Sequence, residues 1–124
     1  MENTLFETPI ATNHIWHHVA AVADIPENGS AAVLIEGIQI AIFNFTTTGE
    51  WYATQNLCPH KMQMVLSRGI IGDCEGEPKV ACPLHKNSFS LQTGECLSGA
   101  DYKINVYPIK QEGDKLFIAL PPTN

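Results

Sequence analysis

Nowhere does the sequence approach the run of roughly 18 apolar residues that a membrane-spanning helix requires. Positive charge is scarce: 7 Lys and Arg stand against 13 Asp and Glu, for a net charge of -6 and a pI near 5.2. Without a basic face, nothing neutralises a phosphate backbone, which argues against nucleic-acid binding. An acidic carrier docking on a basic partner fits this charge, although solubility alone explains it equally well. Residues 1–13 lack a cationic lead, an apolar core and a small-residue cleavage site, so no signal peptide is visible and a soluble, cytoplasmic chain is expected. No helix of ordinary length, repeat or low-complexity tract is signalled, so an all-β fold is expected. At 124 residues there is room for one real core but not for a second, catalytic domain.

What the chain does have is concentrated between positions 58 and 85. Cys58-Pro59-His60-Lys61 and Cys82-Pro83-Leu84-His85-Lys86 each bring one Cys and one His together behind a Cys-Pro step. Two thiolates and two imidazoles can divide the irons of a [2Fe-2S] cluster, with Cys58 and Cys82 on one and His60 and His85 on the other. Two neutral imidazoles in place of two thiolates leave the oxidised cluster about neutral, which makes reduction easier than with four cysteines. Pro59 and Pro83 fix φ after each Cys and remove a donor, stiffening both loops. The same four residues also suit a structural Cys₂His₂ zinc site. A zinc finger places both histidines on one helix, whereas here each His travels with a Cys in a loop, which favours iron-sulfur. Four cysteines in a secreted domain would suggest two disulfides, but with two in ligand motifs and no export signal, reduced thiols are expected. Cys74 and Cys96 are left over, able to pair only within disulfide range, and read as free thiols with Cys96 the more buried.

The flanking strands follow from alternation and turn chemistry. Trp16 to Ala20 reads as a strand, followed by a turn over Asp24 to Gly29. Ala31 to Ile35 and Ile38 to Phe45 form a hairpin across Glu36-Gly37, the second strand buried on its Ile40 face and partly covered on the other. Thr46 to Glu50 turns the chain into a strand over Trp51 to Thr54, which feeds the first loop. Met62, Met64, Val65 and Leu66 are expected to buttress the site, Asp73 to Pro78 to form an exposed turn, and Lys79 to Ala81 to lead into the second loop. Ser88 to Leu91 ends in a turn over Gln92 to Glu95. A closing hairpin is expected between Ile104 to Ile109 and Leu116 to Leu120, over Gln111-Glu112-Gly113-Asp114, with Pro121-Pro122 stopping the sheet. His14, His17 and His18 suggest a second metal site, but neighbouring strand residues point to opposite faces, so they read as ordinary surface or packing residues.

Cys58-Pro59-His60 with Cys82-Pro83-Leu84-His85 resembles the Rieske [2Fe-2S] domain. The resemblance extends to the small subunit of NAD(P)H-dependent assimilatory nitrite reductase through Leu66-Ser67-Arg68-Gly69-Ile70, Val80 to Lys86, Phe89-Ser90-Leu91 and Thr93-Gly94-Glu95-Cys96-Leu97. In its favour, 21 residues separate His60 from Cys82, Lys86 stands where Rieske ferredoxins usually carry Gly, and Ser67-Arg68-Gly69 is present. The resemblance implies an antiparallel β-sandwich with a small rubredoxin-like cluster-binding subdomain: an arm over 1–14, the domain over 15–121 with that subdomain over about 57–92, and a tail over 122–124. It further implies a non-catalytic electron-transfer subunit with no catalytic residues of its own. Its partner would be a large subunit carrying flavin, [4Fe-4S] and sirohaem, which reduces nitrite to ammonia in nitrate assimilation. A stand-alone ferredoxin for an aromatic-ring oxygenase and a non-redox structural subunit are the alternatives. Lys61 and Lys86 would flank the histidines as docking charges, with plain solvation the rival role. High-potential members tie their loops with a disulfide at positions held here by Gln63 and Leu84, and place Ser and Tyr hydroxyls where this chain has Asn87 and Phe89. Fewer hydrogen bonds to sulfur imply a midpoint of roughly -150 to 0 mV.

Overall fold

The computed structural model describes residues 15–59, 63–84, 87–98 and 102–120, with Cys74 described through its backbone alone. Every strand pairing is antiparallel and the only helical segments among these residues are two three-residue 3₁₀ turns, so the fold is all-β, as the patterning predicts.

Two sheets form the base. One has the order β1 (Ile15–Ala21), β12 (Lys115–Leu120), β11 (Ile109–Glu112); the other runs β10 (Val106–Tyr107), β4 (Glu50–Gln55), β3 (Ile38–Phe45), β2 (Ser30–Ile35). The β2–β3 hairpin closes at Glu36-Gly37 with φ of 53° and 81°, the positive pair that a two-residue turn needs to match strand twist. Between β4 and β10 the chain builds a smaller layer: β5 (Leu57–Cys58) with β6 (Gln63–Met64), then β7 (Ile70–Cys74), β8 (Glu77–Ala81) and β9 (Ser88–Ser90) in one sheet.

Strand β3 lies between the two cores. Ile40 and Ile42 pack with Ile25, Leu116, Ile118 and Leu120 in the lower core. Ala41, Phe43 and Phe45 pack with Cys58, Leu66, Val80, Cys82 and Phe89 in the upper one. The expectation that the second face of β3 is only partly covered is therefore corrected: Ala41 and Phe43 are as completely buried as Ile40 and Ile42, because the smaller layer folds down over them. Each such side chain contributes about 1.5–3 kcal/mol through burial if large, so β3 anchors both halves.

Two other expectations need correcting. The stretch Asp73 to Pro78 is not an exposed turn; it is the end of the β7–β8 hairpin, with only Glu75-Gly76 (φ 52° and 91°) turning. Ile104 to Ile109 is not one strand. Pro108 lacks the donor that a continuous ladder requires, so Val106–Tyr107 pairs with β4 and Ile109–Glu112 pairs with β12 over a shorter Gly113-Asp114 turn.

Candidate metal centre

Both Cys-His loops are closed at their bases by backbone hydrogen bonding. Cys58 pairs with Gln63 across β5–β6, bracketing 59–62. The Cys82 N–H donates to the Asn87 carbonyl at 2.8 Å, bracketing 83–86. His60, Lys61, Met62, His85 and Lys86 lie outside the described residues. The cysteines at the two loop starts meet: the Cys82 thiol donates to Cys58 Sγ at 3.2 Å, and the two side chains are 1% and 0% exposed.

This separation is informative. A disulfide holds its sulfurs at about 2.05 Å. Thiolates sharing one tetrahedral metal, with bonds of about 2.3 Å, sit about 3.8 Å apart. Two buried sulfurs at 3.2 Å are thus too far apart to be bonded and need only a slight widening to share a metal. Their surroundings, Phe43, Leu66, Val80 and Phe89, are apolar and exclude water. Soft donors facing each other in a dry pocket, each at the start of a segment whose sequence carries a His, suit a Rieske cluster.

The support is built from residues that close both loops. Leu66–Arg68 forms a 3₁₀ turn, after which Gly69 lies so close to β8 that an added Cβ would sit 2.3 Å from the Ala81 carbonyl oxygen and 2.7 Å from Val80 Cγ2. Only glycine permits this approach one residue ahead of Cys82, which gives the Ser67-Arg68-Gly69 motif a steric reason. On the far side, Gly94 (φ 84°) lies where a Cβ would meet the Ile104 carbonyl at 2.0 Å. Buried Ser90 donates to Glu77 Oε2 at 2.5 Å and accepts from the Gln92 and Thr93 amides, holding that turn against β9.

Of the proposed buttress, Leu66 is buried and Val65 half-buried, but Met64 is 46% exposed and its neighbour Gln63 is exposed with it, because neither face of the short β6 is covered. Leu84 on the second loop is 47% exposed and Gln63 is also exposed, leaving the two positions without a bridge. Phe89 is a buried core residue and Asn87 serves through its carbonyl, so neither offers a hydroxyl. A cavity of about 340 Å³ lined by Ile70, Ile71, Lys79, Ala81, Cys82 and Pro83 opens beside the second loop.

The remaining candidates separate from the site. His18 is exposed and stacks at a tilt on Phe117, with centroids 5.4 Å apart, while its neighbour His17 is half-buried opposite Ile118; His14 lies outside the described residues. Cys96 is a free, half-buried thiol packed against the upper core. The sequence reading missed Asn56, buried at 2% exposure and two positions ahead of Cys58. Its signal in the sequence was only its place two positions ahead of Cys58, at the junction of β4 and β5.

A family model for the Rieske-like [2Fe-2S] domain matches residues 15–119. The chain is 39% identical over 102 residues to nitrite reductase [NAD(P)H] from Emericella nidulans, a match covering 78% of this chain but 9% of that enzyme. It is 36% identical over 106 residues to the ferredoxin component of the naphthalene 1,2-dioxygenase system of Pseudomonas aeruginosa, covering 85% of this chain and 95% of that ferredoxin. The chain spans about a tenth of the length of the nitrite reductases it matches and nearly all of the ferredoxin. Its fold superposes on the nitrite reductase [NAD(P)H] small subunit of Erwinia carotovora with a TM-score of 0.74 and 30% identity, over 88% of this chain and 84% of that one. No helix among the described residues is long and apolar enough to cross a membrane. A match running from the first described strand to the last makes this chain a member of the Rieske-like [2Fe-2S] domain family, an electron-transfer protein related both to nitrite reductase small subunits and to aromatic dioxygenase ferredoxins.

Proposed function

We propose that Cys58, His60, Cys82 and His85 ligate the [2Fe-2S] cluster, and that the protein is the small subunit of an NAD(P)H-dependent assimilatory nitrite reductase. The observation that carries the ligand assignment is the 3.2 Å approach of two buried cysteine sulfurs, each at the base of a loop that contains one of the histidines. When bound, the cluster supplies a one-electron redox centre. Cys58 and Cys82, in the apolar pocket, would hold one iron, and His60 and His85 would hold the other. With Phe89 and Asn87 offering no hydroxyl, the chain gives little stabilisation to added negative charge on sulfur, which keeps the potential low.

The nitrite reductase assignment is supported by the similarity to the Emericella nidulans enzyme and the Erwinia carotovora small subunit, together with the Ser67-Arg68-Gly69 turn that packs on Ala81. In this reading the domain occupies 15–121, with the cluster-binding subdomain over about 57–92, and works in the cytoplasm in nitrate assimilation. Its partner is a large catalytic subunit carrying flavin, [4Fe-4S] and sirohaem, met through Lys61 and Lys86 beside the histidines. A second reading, a stand-alone ferredoxin serving an aromatic-ring oxygenase, is favoured by the near-complete coverage of the Pseudomonas aeruginosa ferredoxin.

Anaerobically purified protein tests the ligand assignment. Two irons per chain, no stoichiometric zinc and a Rieske-type EPR signal on reduction are expected; zinc at one equivalent, or colourless iron-free protein, contradicts it. Co-purification with a sirohaem-containing subunit supports the first role, and rapid electron delivery to a ring-hydroxylating oxygenase the second.

A further inference from the structure

Asn56 spends all four of its polar groups on joining parts of the chain that are distant in sequence. Its N–H donates to the Gln39 carbonyl at 3.1 Å and its carbonyl accepts from the Leu66 N–H at 3.0 Å. Its carboxamide donates to Gln39 Oε1 at 3.0 Å and accepts from the Ser67 N–H at 2.7 Å. At 2% exposure the side chain has little access to water, so these partners hold it in one orientation. The strand entering the first loop is thereby fastened to β3, which is buried on both faces, and to the 3₁₀ turn Leu66–Arg68. Ser30 holds that turn from the other side, its hydroxyl donating to the Ser67 carbonyl at 2.6 Å. The next residue, Gly69, rests against the Ala81 carbonyl, and Ala81 precedes Cys82. A continuous path of short chain steps and two through-space contacts, Asn56–Ser67 and Gly69–Ala81, thus links Cys58 to Cys82.

We propose that Asn56 is a positioning residue that sets the separation of the Cys58 and Cys82 sulfurs, and through it the grip on the cluster. The proposal rests on the ligand assignment above. Groups just outside the ligands commonly govern metal retention by orienting them, and their loss changes affinity by about 10-fold to 100-fold. Asn56 acts at both ends of the gap: its backbone orients the first loop, and its side-chain oxygen holds the turn that leads to the second.

The test uses the full chain carrying its cluster, comparing wild type with Asn56→Ala, Asn56→Asp, Gln39→Leu and a distant control, Ile118→Val, in the lower core. Asn56→Asp keeps the acceptor for Ser67 and loses the donor to Gln39; Gln39→Leu removes that same contact from its other side. Asn56→Ala should lose iron to a chelator about tenfold faster than wild type and show an altered EPR line shape after reduction, with Asn56→Asp and Gln39→Leu intermediate. The control, compared at its own urea midpoint, should keep the wild-type rate and signal. Wild-type rate and line shape in Asn56→Ala would overturn the proposal, as would a control that loses iron as fast as the Asn56 variants. If Asn56→Ala fails to fold, the other two variants decide on the same readouts. Absence of the Rieske signal from the wild type would instead remove the ligand assignment, and the proposal with it.

Discussion

Gly69 illustrates how a single residue can be legible without its reason. It stands out in the sequence as part of Ser67-Arg68-Gly69, yet nothing nearby explains it, because its constraint is the Ala81 carbonyl twelve positions away. With backbone on one side of the clash, Gly69→Ala should destabilise the fold by roughly 1–3 kcal/mol, seen as a lower urea midpoint at unchanged slope. Tyr52 gives a pH-dependent counterpart. Burial first, and then its 2.6 Å hydrogen bond to Glu50 and the charge of that carboxylate, push its pKa from 10.0 up to about 12. Folding therefore favours the protonated phenol. Its contribution is fully present below pH 10, the unfolded value, and is lost as pH rises through about 12. Tyr52→Phe should flatten the stability profile over that alkaline window, as measured by urea unfolding at a series of pH values.

Among the elements, strand β3 decides how the two halves of the molecule share stability. Ile42→Val in the lower core should cost about 0.5–1.5 kcal/mol, and Phe43→Ala in the upper core about 3–5 kcal/mol, by chemical denaturation. Only the second change borders the cysteine pocket, so it should also speed iron loss, which a chelator assay would detect. Local chemistry made the β2–β3 hairpin readable, since Glu36-Gly37 supplies its own turn signal between alternating strands. The β7–β8 hairpin was hidden by the same reasoning. Asp73-Cys74-Glu75-Gly76-Glu77-Pro78 has the composition of a loop, yet its ends pair as strands, Asp73 with Pro78 and Cys74 with Glu77. Met64 was misjudged because apolar character does not say whether a two-residue strand is covered at all; both residues of β6 are exposed.

For the whole molecule, the ligand chemistry sets the expected potential. A midpoint of roughly -150 to 0 mV is expected, and His85→Cys should move it toward the roughly -400 mV of plant-type ferredoxins while the protein stays folded; potentiometric titration followed by EPR checks both values. Activity of the complex that ignored such a shift would point to a structural role for the metal. With a net charge of -6, association with a basic partner should weaken as salt rises, which affinity measurements at several ionic strengths would show. Lys86, as a docking charge, would face a local acidic group on the partner, so its charge reversal should weaken binding; unchanged affinity and salt dependence would count against docking.

The sequence by itself offered the proposed donor set as two Cys-His pairs, because Cys, Pro and His lie within a few residues of one another and their chemistry is local. It also determined the all-β class, since alternation and turn residues act over short stretches. Only the tertiary structure decided that sulfurs 24 positions apart meet at 3.2 Å. Around that approach β3 is covered on both faces, Gly69 rests against β8, and a buried Asn56 bonds both to β3 and to the turn ahead of Gly69. These contacts form between residues far apart in the chain, where the packing of the whole fold selects the distance.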